Sequence, residues 1–345
     1  MSHWYYPNDL YNRWDNPGNN YISDIQKMSE FAVKRGINVM QILNPVWVEG
    51  HEKGGEKKIR CSSQEDLDKL FKVYKLSLDK GSRIVSFFFD DFVSTGDEKG
   101  QLFLTQPEDR KFFEGNIGKA HCYALKELSE RVKKDFPDCE ITFLPGPYQD
   151  IPGPEHYYFK EFKDAPPDTI FHWTGPSPGN NAVSLSYTEE QCKNYQSGIG
   201  GRRFVIHDNA PGHLHTTSGV RMFDLYAEKY DGLWKYCYGI QAMVGFSPVS
   251  ELMNYDAIMA AEYMWNAENY QPELSRRKIL AVMAGRDAIE YLLVFREIYF
   301  RILEEYVEKK PPYPLEERVN NLKMGMEVMK KSLEEIKKNA QTQNW

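Results

Sequence analysis

Short apolar runs, each stopped by turn residues and separated from the next by an amphipathic stretch, constrain this chain most. The runs are Ile37–Leu43, Ile84–Phe89, Ile141–Leu144, Thr169–Trp173, Arg203–His207 and Ile240–Phe246. Between them, helical spacing predicts helices over Ile22–Arg35, Glu65–Asp79, Lys119–Phe136, Thr188–Ser197 and Leu225–Tyr236, with stops at Gly36, Lys80-Gly81 and Pro137. Strands that are apolar along their whole length, alternating with helices, are parallel strands covered on both faces. Many repetitions favour an α/β fold of the (β/α)₈, TIM-like kind, although a doubly wound open sheet gives the same local pattern. The 345 residues suffice for one barrel of about 250 residues and a smaller appendage. After Tyr270-Gln271-Pro272 the pattern becomes helical only, interrupted at Pro311, Pro312 and Pro314. The expected division is a barrel over residues 1–270 and a helical extension over 271–345.

Composition narrows the partners. The net charge is −7, with no basic stripe, so nucleic acid is not an expected partner. The C-terminal lysines Lys330, Lys331, Lys337 and Lys338 alternate with Glu334 and Glu335, as on a solvated helix face. Aromatic residues make up 14%, a surplus that serves core packing and also suits a cleft stacking on sugar rings. The five cysteines are scattered without metal-type spacing, which predicts thiols and no disulfide framework. No apolar run is long enough for a membrane span, and no signal peptide is visible at the start, which leaves the compartment open.

The chemistry-bearing motif is Phe87-Phe88-Phe89-Asp90-Asp91. A buried apolar strand delivers two carboxylates at its C-terminal end, the end that faces the active site in a parallel barrel. Neighbouring side chains on a regular strand point to opposite faces, so both acids reach one pocket only where strand gives way to loop. Two close carboxylates repel, one keeps its proton at higher pH, and that proton becomes available for donation. Such a pair fits glycosidic-bond cleavage, which needs an acid for the leaving oxygen and a second group near the reacting carbon. An Asp pair that caps a helix or meets surface lysines is the structural alternative. A metal site is a further one, but no His or third carboxylate lies near in sequence. No cofactor is expected.

The segment Gly81-Ser82-Arg83-Ile84-Val85-Ser86-Phe87-Phe88-Phe89-Asp90-Asp91 resembles the catalytic strand of family 84 glycoside hydrolases, the β-N-acetylglucosaminidases that include O-GlcNAcase and bacterial hyaluronidase-like enzymes. Five further matches follow in order. Tyr6-Pro7-Asn8-Asp9 resembles the family's Ala/Gly-Pro-Lys-Asp turn, and Pro145-Gly146-Pro147-Tyr148 its Pro-Thr-Glu-Tyr. His172-Trp173-Thr174-Gly175-Pro176 resembles a Trp-Thr-Gly segment, Ile206-His207-Asp208-Asn209 an Ile-Trp-Asp-Asn, and Tyr263-Met264-Trp265-Asn266 the Tyr-x-Trp-Asn that closes the barrel. The resemblance implies substrate-assisted hydrolysis of a β-linked N-acetylhexosaminide with retention. The sugar's 2-acetamido oxygen would attack the anomeric carbon to give an oxazoline. Asp90 would polarise the acetamido N–H, and Asp91 would be general acid and then general base. Tyr148 and Asn209 would line the pocket. The implied partner is a carbohydrate or glycoconjugate substrate.

Several positions depart from the family pattern. Asn8 replaces a lysine, although Asp9 persists. His207 replaces a tryptophan, Leu214 an aspartate that grips sugar hydroxyls, and Ser247-Pro248 an Asn-Pro. Losing a charged hydrogen bond to a hydroxyl removes about 1.5–3 kcal/mol, so discrimination at those hydroxyls is expected to change. His213 and His215 are the candidates to replace that contact. A hydrolase of a different sugar and a carbohydrate-binding pseudoenzyme are the alternatives. Only four residues precede Tyr5, so the family's first βα unit, with its glycine turn, is expected to be absent. Trp173 and Trp265 are expected to pack at the barrel rim.

Overall fold

The computed structural model describes residues 2–3, 14–15, 17–45, 59–89, 104, 106–148, 153, 156–175, 188–208, 232–242, 258–259, 261–294 and helical stretches between 323 and 338. The chain divides into two compact units. The first comprises residues 1–176, 190–206 and 236–238, and the second 177–189, 207–235 and 239–345.

The first unit is built on parallel strands: β1 (Ser2–His3), β2 (Met40–Leu43), β3 (Ile84–Phe88), β4 (Glu140–Leu144), β5 (Ile170–Trp173) and β6 (Phe204–Asp208), whose last two residues belong to the second unit. Each strand pairs in parallel with the next in chain order, from Ser2 opposite Met40 to Trp173 opposite Ile206. A doubly wound sheet reverses its strand order at a switch point, whereas this order never reverses. That resolves the ambiguity left by the local pattern in favour of barrel-type winding. The Tyr238 N–H donates to the Phe204 carbonyl at 2.6 Å, so the chain also runs beside β6 after its return.

The crossovers are helical: α1 (Asn19–Val33), α2 (Gln64–Leu78), α3 (Pro107–Phe112), α4 (Ile117–Asp135) and α5 (Glu189–Gly198). Their ends follow local chemistry. The Ser63 hydroxyl accepts from the Asp66 N–H and the Asn116 side chain from the Lys119 N–H, capping α2 and α4. Gly36 and Gly81 stop α1 and α2 at φ of +73° and +99°. The Ile37 N–H then reaches back to Ala32 and the Ser82 N–H to Ser77, closing Schellman turns. This explains why β2 starts at Met40 and not at the expected Ile37: the Ile37 N–H is committed to the helix end. Three elements went unanticipated: β1, α3 and the helical turn Phe159–Asp164. β1 is too short to carry a period. α3, however, bears Pro107 in its first turn with Glu108 and Asp109, and Arg110 and Lys111 in its last, all readable start and stop signals.

The helix-facing side of the sheet is aromatic. Tyr74 of α2 packs edge-on against Phe87 and donates its hydroxyl to the Ser86 carbonyl at 2.6 Å. Phe143 meets Phe162 and Phe171. Trp173 stacks on Tyr195 of α5, which also touches Phe204. The buried Gln41 is satisfied by Tyr21, the Val73 carbonyl and Ser77.

The second unit holds β7 (Gly239–Ala242), the helical turns Leu233–Lys235 and Ala267–Asn269, and α6 (Pro272–Ala284). α6 starts on Pro272 and ends at Gly285 with φ +84°. Arg277 bridges Glu273 and Glu290 on its exposed side. The predicted helix over Leu225–Tyr236 and strand over Ile240–Phe246 lie partly outside the described residues. Among the described residues no helix is long and apolar enough to cross a membrane.

Candidate active site

The packing assigns faces to the strands. Phe87 packs on α2 through Tyr74, and Phe89 stacks on His121 of α4 at 4.2 Å, so both point towards the helices. Ser86 and Phe88 therefore point to the opposite face of the sheet. There the Thr142 hydroxyl donates to Ser86, Ser86 lies 3.4 Å from His172 Nε2, and His172 sits edge-on to Phe88. Ser86, Thr142 and His172 are all buried. This polar row across β3, β4 and β5 was not singled out from the sequence. The sequence shows only one polar side chain inside each apolar run, and nothing in it says that these three meet. At the β3 end, Phe89 is buried and its N–H donates to the Leu144 carbonyl at 2.9 Å, so β3 and β4 stay paired up to the residue before Asp90.

Among the sequence candidates, Asn8, Asp9, Asp90, Asp91, Asn209 and Ser247 lie outside the described residues, as do His213, Leu214 and His215. Tyr148 and His207 are described. Tyr148 is half-buried in the turn after β4. Its carbonyl accepts from both the N–H and the hydroxyl of Thr174, at 3.1 and 3.2 Å. The Pro-Gly-Pro-Tyr turn is thereby tied to the Trp-Thr-Gly segment that follows β5, and Gly175 turns away at φ +81°. Two motifs read separately in the sequence meet through this pair of hydrogen bonds. His207 and Asp208, at the end of β6, are both buried.

Among the described residues no group of three His, Cys, Asp or Glu side chains could hold a metal ion. All five cysteines are free thiols. Burial pushes the Cys122 thiol up to about 11 and those of Cys139 and Cys192 up to about 12, so none of these three is a thiolate at neutral pH. Trp173 is fully buried against Tyr195 and Phe204. Trp265 is not: it is 92% exposed. On its helix the buried positions are Met259 and Tyr263, one turn apart, and a residue two places after Tyr263 faces away from them.

The β-N-acetylglucosaminidase family model matches residues 4–297. The chain belongs to the β-N-acetylglucosaminidase family. A search of curated proteins finds no match. Among solved structures, this family member is similar to a mutant of the O-GlcNAc hydrolase of Thermobaculum terrenum, with a TM-score of 0.63 at 18% identity, over 94% of this chain and 68% of that one. It is also similar to the proteins titled CpGH84D, with a TM-score of 0.60 at 17% identity over 86% of this chain, and CpGH84B, with a TM-score of 0.61 at 16% over 99%. The chain spans 44% and 58% of those two proteins' lengths. At such identities the likeness speaks for the fold, and the parallel, chain-ordered sheet agrees with it.

Proposed function

We propose that this family member is a retaining hydrolase of β-linked N-acetylhexosaminides of the GlcNAc type. In this reading the substrate's 2-acetamido oxygen attacks the anomeric carbon. Asp90 holds and polarises the acetamido N–H. Asp91 protonates the departing oxygen and then takes a proton from the water that opens the oxazoline. Tyr148 and Asn209 contact the sugar near the reacting centre, and Asn8, Asp9, His207 and Ser247 tune which sugar and aglycone are accepted. One observation carries the reading: within the family match, the Asp90-Asp91 pair follows directly on the buried, β4-paired end of β3. Also as a proposal, residues 1–270 form the catalytic barrel and 271–345 a helical extension.

The test uses aryl N-acetylhexosaminides with poor and activated leaving groups. Asp91→Ala should lower kcat by about 10²–10⁴-fold on the poor leaving group and far less on the activated one. An oxazoline-mimicking thiazoline should inhibit. Equal losses on both substrates would remove Asp91 from acid catalysis, and turnover that ignores the thiazoline would point to a protein nucleophile. Turnover of plain hexosides alone would favour a different sugar, a reading to which the changes at Asn8, His207 and Leu214 lend weight. Sugar binding without turnover would mark a pseudoenzyme.

A further inference from the structure

The reading above leaves unused a buried polar pair in the first unit, His121 of α4 and Tyr158. Both side chains are fully buried, and their polar atoms, His121 Nδ1 and Tyr158 Oη, lie 2.8 Å apart. The Gly146 N–H donates to the same phenol oxygen at 3.3 Å. A hydrogen-bond chain thus joins Gly146, Tyr158 and His121. Burial keeps the imidazole neutral, holding its pKa down to about 3, so the pair stays uncharged near neutral pH.

Both ends of this chain touch the proposed catalytic strands. Gly146 lies two residues before Tyr148, in the turn that Thr174 anchors from the other side. A face of the His121 ring carries the stacked Phe89, the residue directly before Asp90. The site that holds Tyr158 is itself tightly specified. A Cβ on Gly118 of α4 would stand 2.8 Å from the Tyr158 carbonyl oxygen, so the absent side chain lets α4 approach that backbone. His156 Nδ1 accepts from the Tyr158 N–H at 3.2 Å.

We infer that Tyr158 and His121 form a positioning brace that holds the ends of β3 and β4, and hence Asp90-Asp91 and Tyr148, in one working register. Neither residue is assigned contact with the sugar. The inference rests on the hydrolase reading proposed above.

The experiment compares Tyr158→Phe, which keeps the ring and deletes the hydroxyl, with His121→Phe, which keeps a ring on Phe89 and deletes the hydrogen-bonding nitrogen. Val132→Ala, a buried change elsewhere on α4, serves as the control for lost stability. A misplaced acid hurts most where protonation is most needed. Both brace variants should therefore lower kcat about tenfold or more on the poor leaving group and only a few-fold on the activated one, with KM changing less than kcat. His121→Asn, which returns a hydrogen-bonding group to the phenol, should recover part of that loss. Val132→Ala should leave the ratio of the two rates unchanged. If either folded brace variant keeps the wild-type ratio, the positioning role is overturned while the hydrolase reading stands. If the wild type turns over no N-acetylhexosaminide, the hydrolase reading falls and the positioning role falls with it. Amide exchange provides a second readout that needs no turnover. Gly146 should exchange faster in Tyr158→Phe, and unchanged protection there overturns the brace.

Discussion

Trp173 and Trp265 stand in similar motif settings, yet their surroundings differ completely. Trp173 lies flat on Tyr195, with ring centres 4.9 Å apart, and touches Phe204. Removing it leaves a large void, so Trp173→Ala should cost about 3–5 kcal/mol in urea unfolding. Trp265→Ala, on a side chain almost wholly in solvent, should stay within about 0.5 kcal/mol. Near-equal losses would contradict the burial of one or the exposure of the other. His121 gives a pH-dependent counterpart. An unfolded chain binds a proton at this histidine near 6.5, whereas the native site binds one only near 3. Between these values the unfolded state holds more protons, so stability rises with pH and is fully present above about 6.5. From pH 7 down to pH 5 the wild type should lose about 2 kcal/mol through this one residue. His121→Phe should lack that part of the acid slope, and equal slopes for the two proteins would show that the native imidazole protonates readily.

At the scale of elements, α4 shows how a helix can be legible in its period and illegible in its fit. The stretch Lys119–Phe136 announces itself as a helix and observed α4 spans Ile117–Asp135, yet nothing in the period marks Gly118 as a contact point. In an ordinary helix Gly→Ala stabilises by up to about 1 kcal/mol. Here the new methyl would meet the Tyr158 backbone, which cannot swing aside as a flexible side chain could. Overpacking of this kind costs about 1–3 kcal/mol and outweighs the propensity gain, which is smaller still in the first turn. Gly118→Ala should therefore destabilise, and a rise in the urea midpoint would refute the close approach. The same distinction separates what the sequence disclosed from what it withheld. The alternation of apolar strands with helices and the Gly36 and Gly81 stops were readable, because apolar period and left-handed backbone are local properties, whereas the order of the strands in the sheet was not. The Ser86–Thr142–His172 row, the tie from Thr174 to Tyr148 and the His121–Tyr158 pair join positions 12 to 86 residues apart, and no local pattern encodes them.

At the scale of the whole molecule, the first compact unit is discontinuous in the chain. The first unit takes residues 1–176, then 190–206, then 236–238, so the chain leaves it and returns twice. A fragment ending at Pro176 contains β1 to β5 but lacks the segment that finishes the unit. It loses Tyr195, which stacks on Trp173 and donates its hydroxyl to the His172 carbonyl at 2.9 Å. It also loses β6, leaving the β5 edge unpaired and Trp173 without Tyr195 and Phe204. Burial of several large aromatics is comparable with the entire net stability of a domain, so the deficit cannot be absorbed. The fragment 1–176 should show no sharp thermal transition and should bind a hydrophobic dye, whereas a fragment extended to Tyr238, which completes the unit, should regain a cooperative transition. A cooperative melt of 1–176 at the full chain's midpoint would mean that α5 and β6 add nothing to the core that the first five strands share.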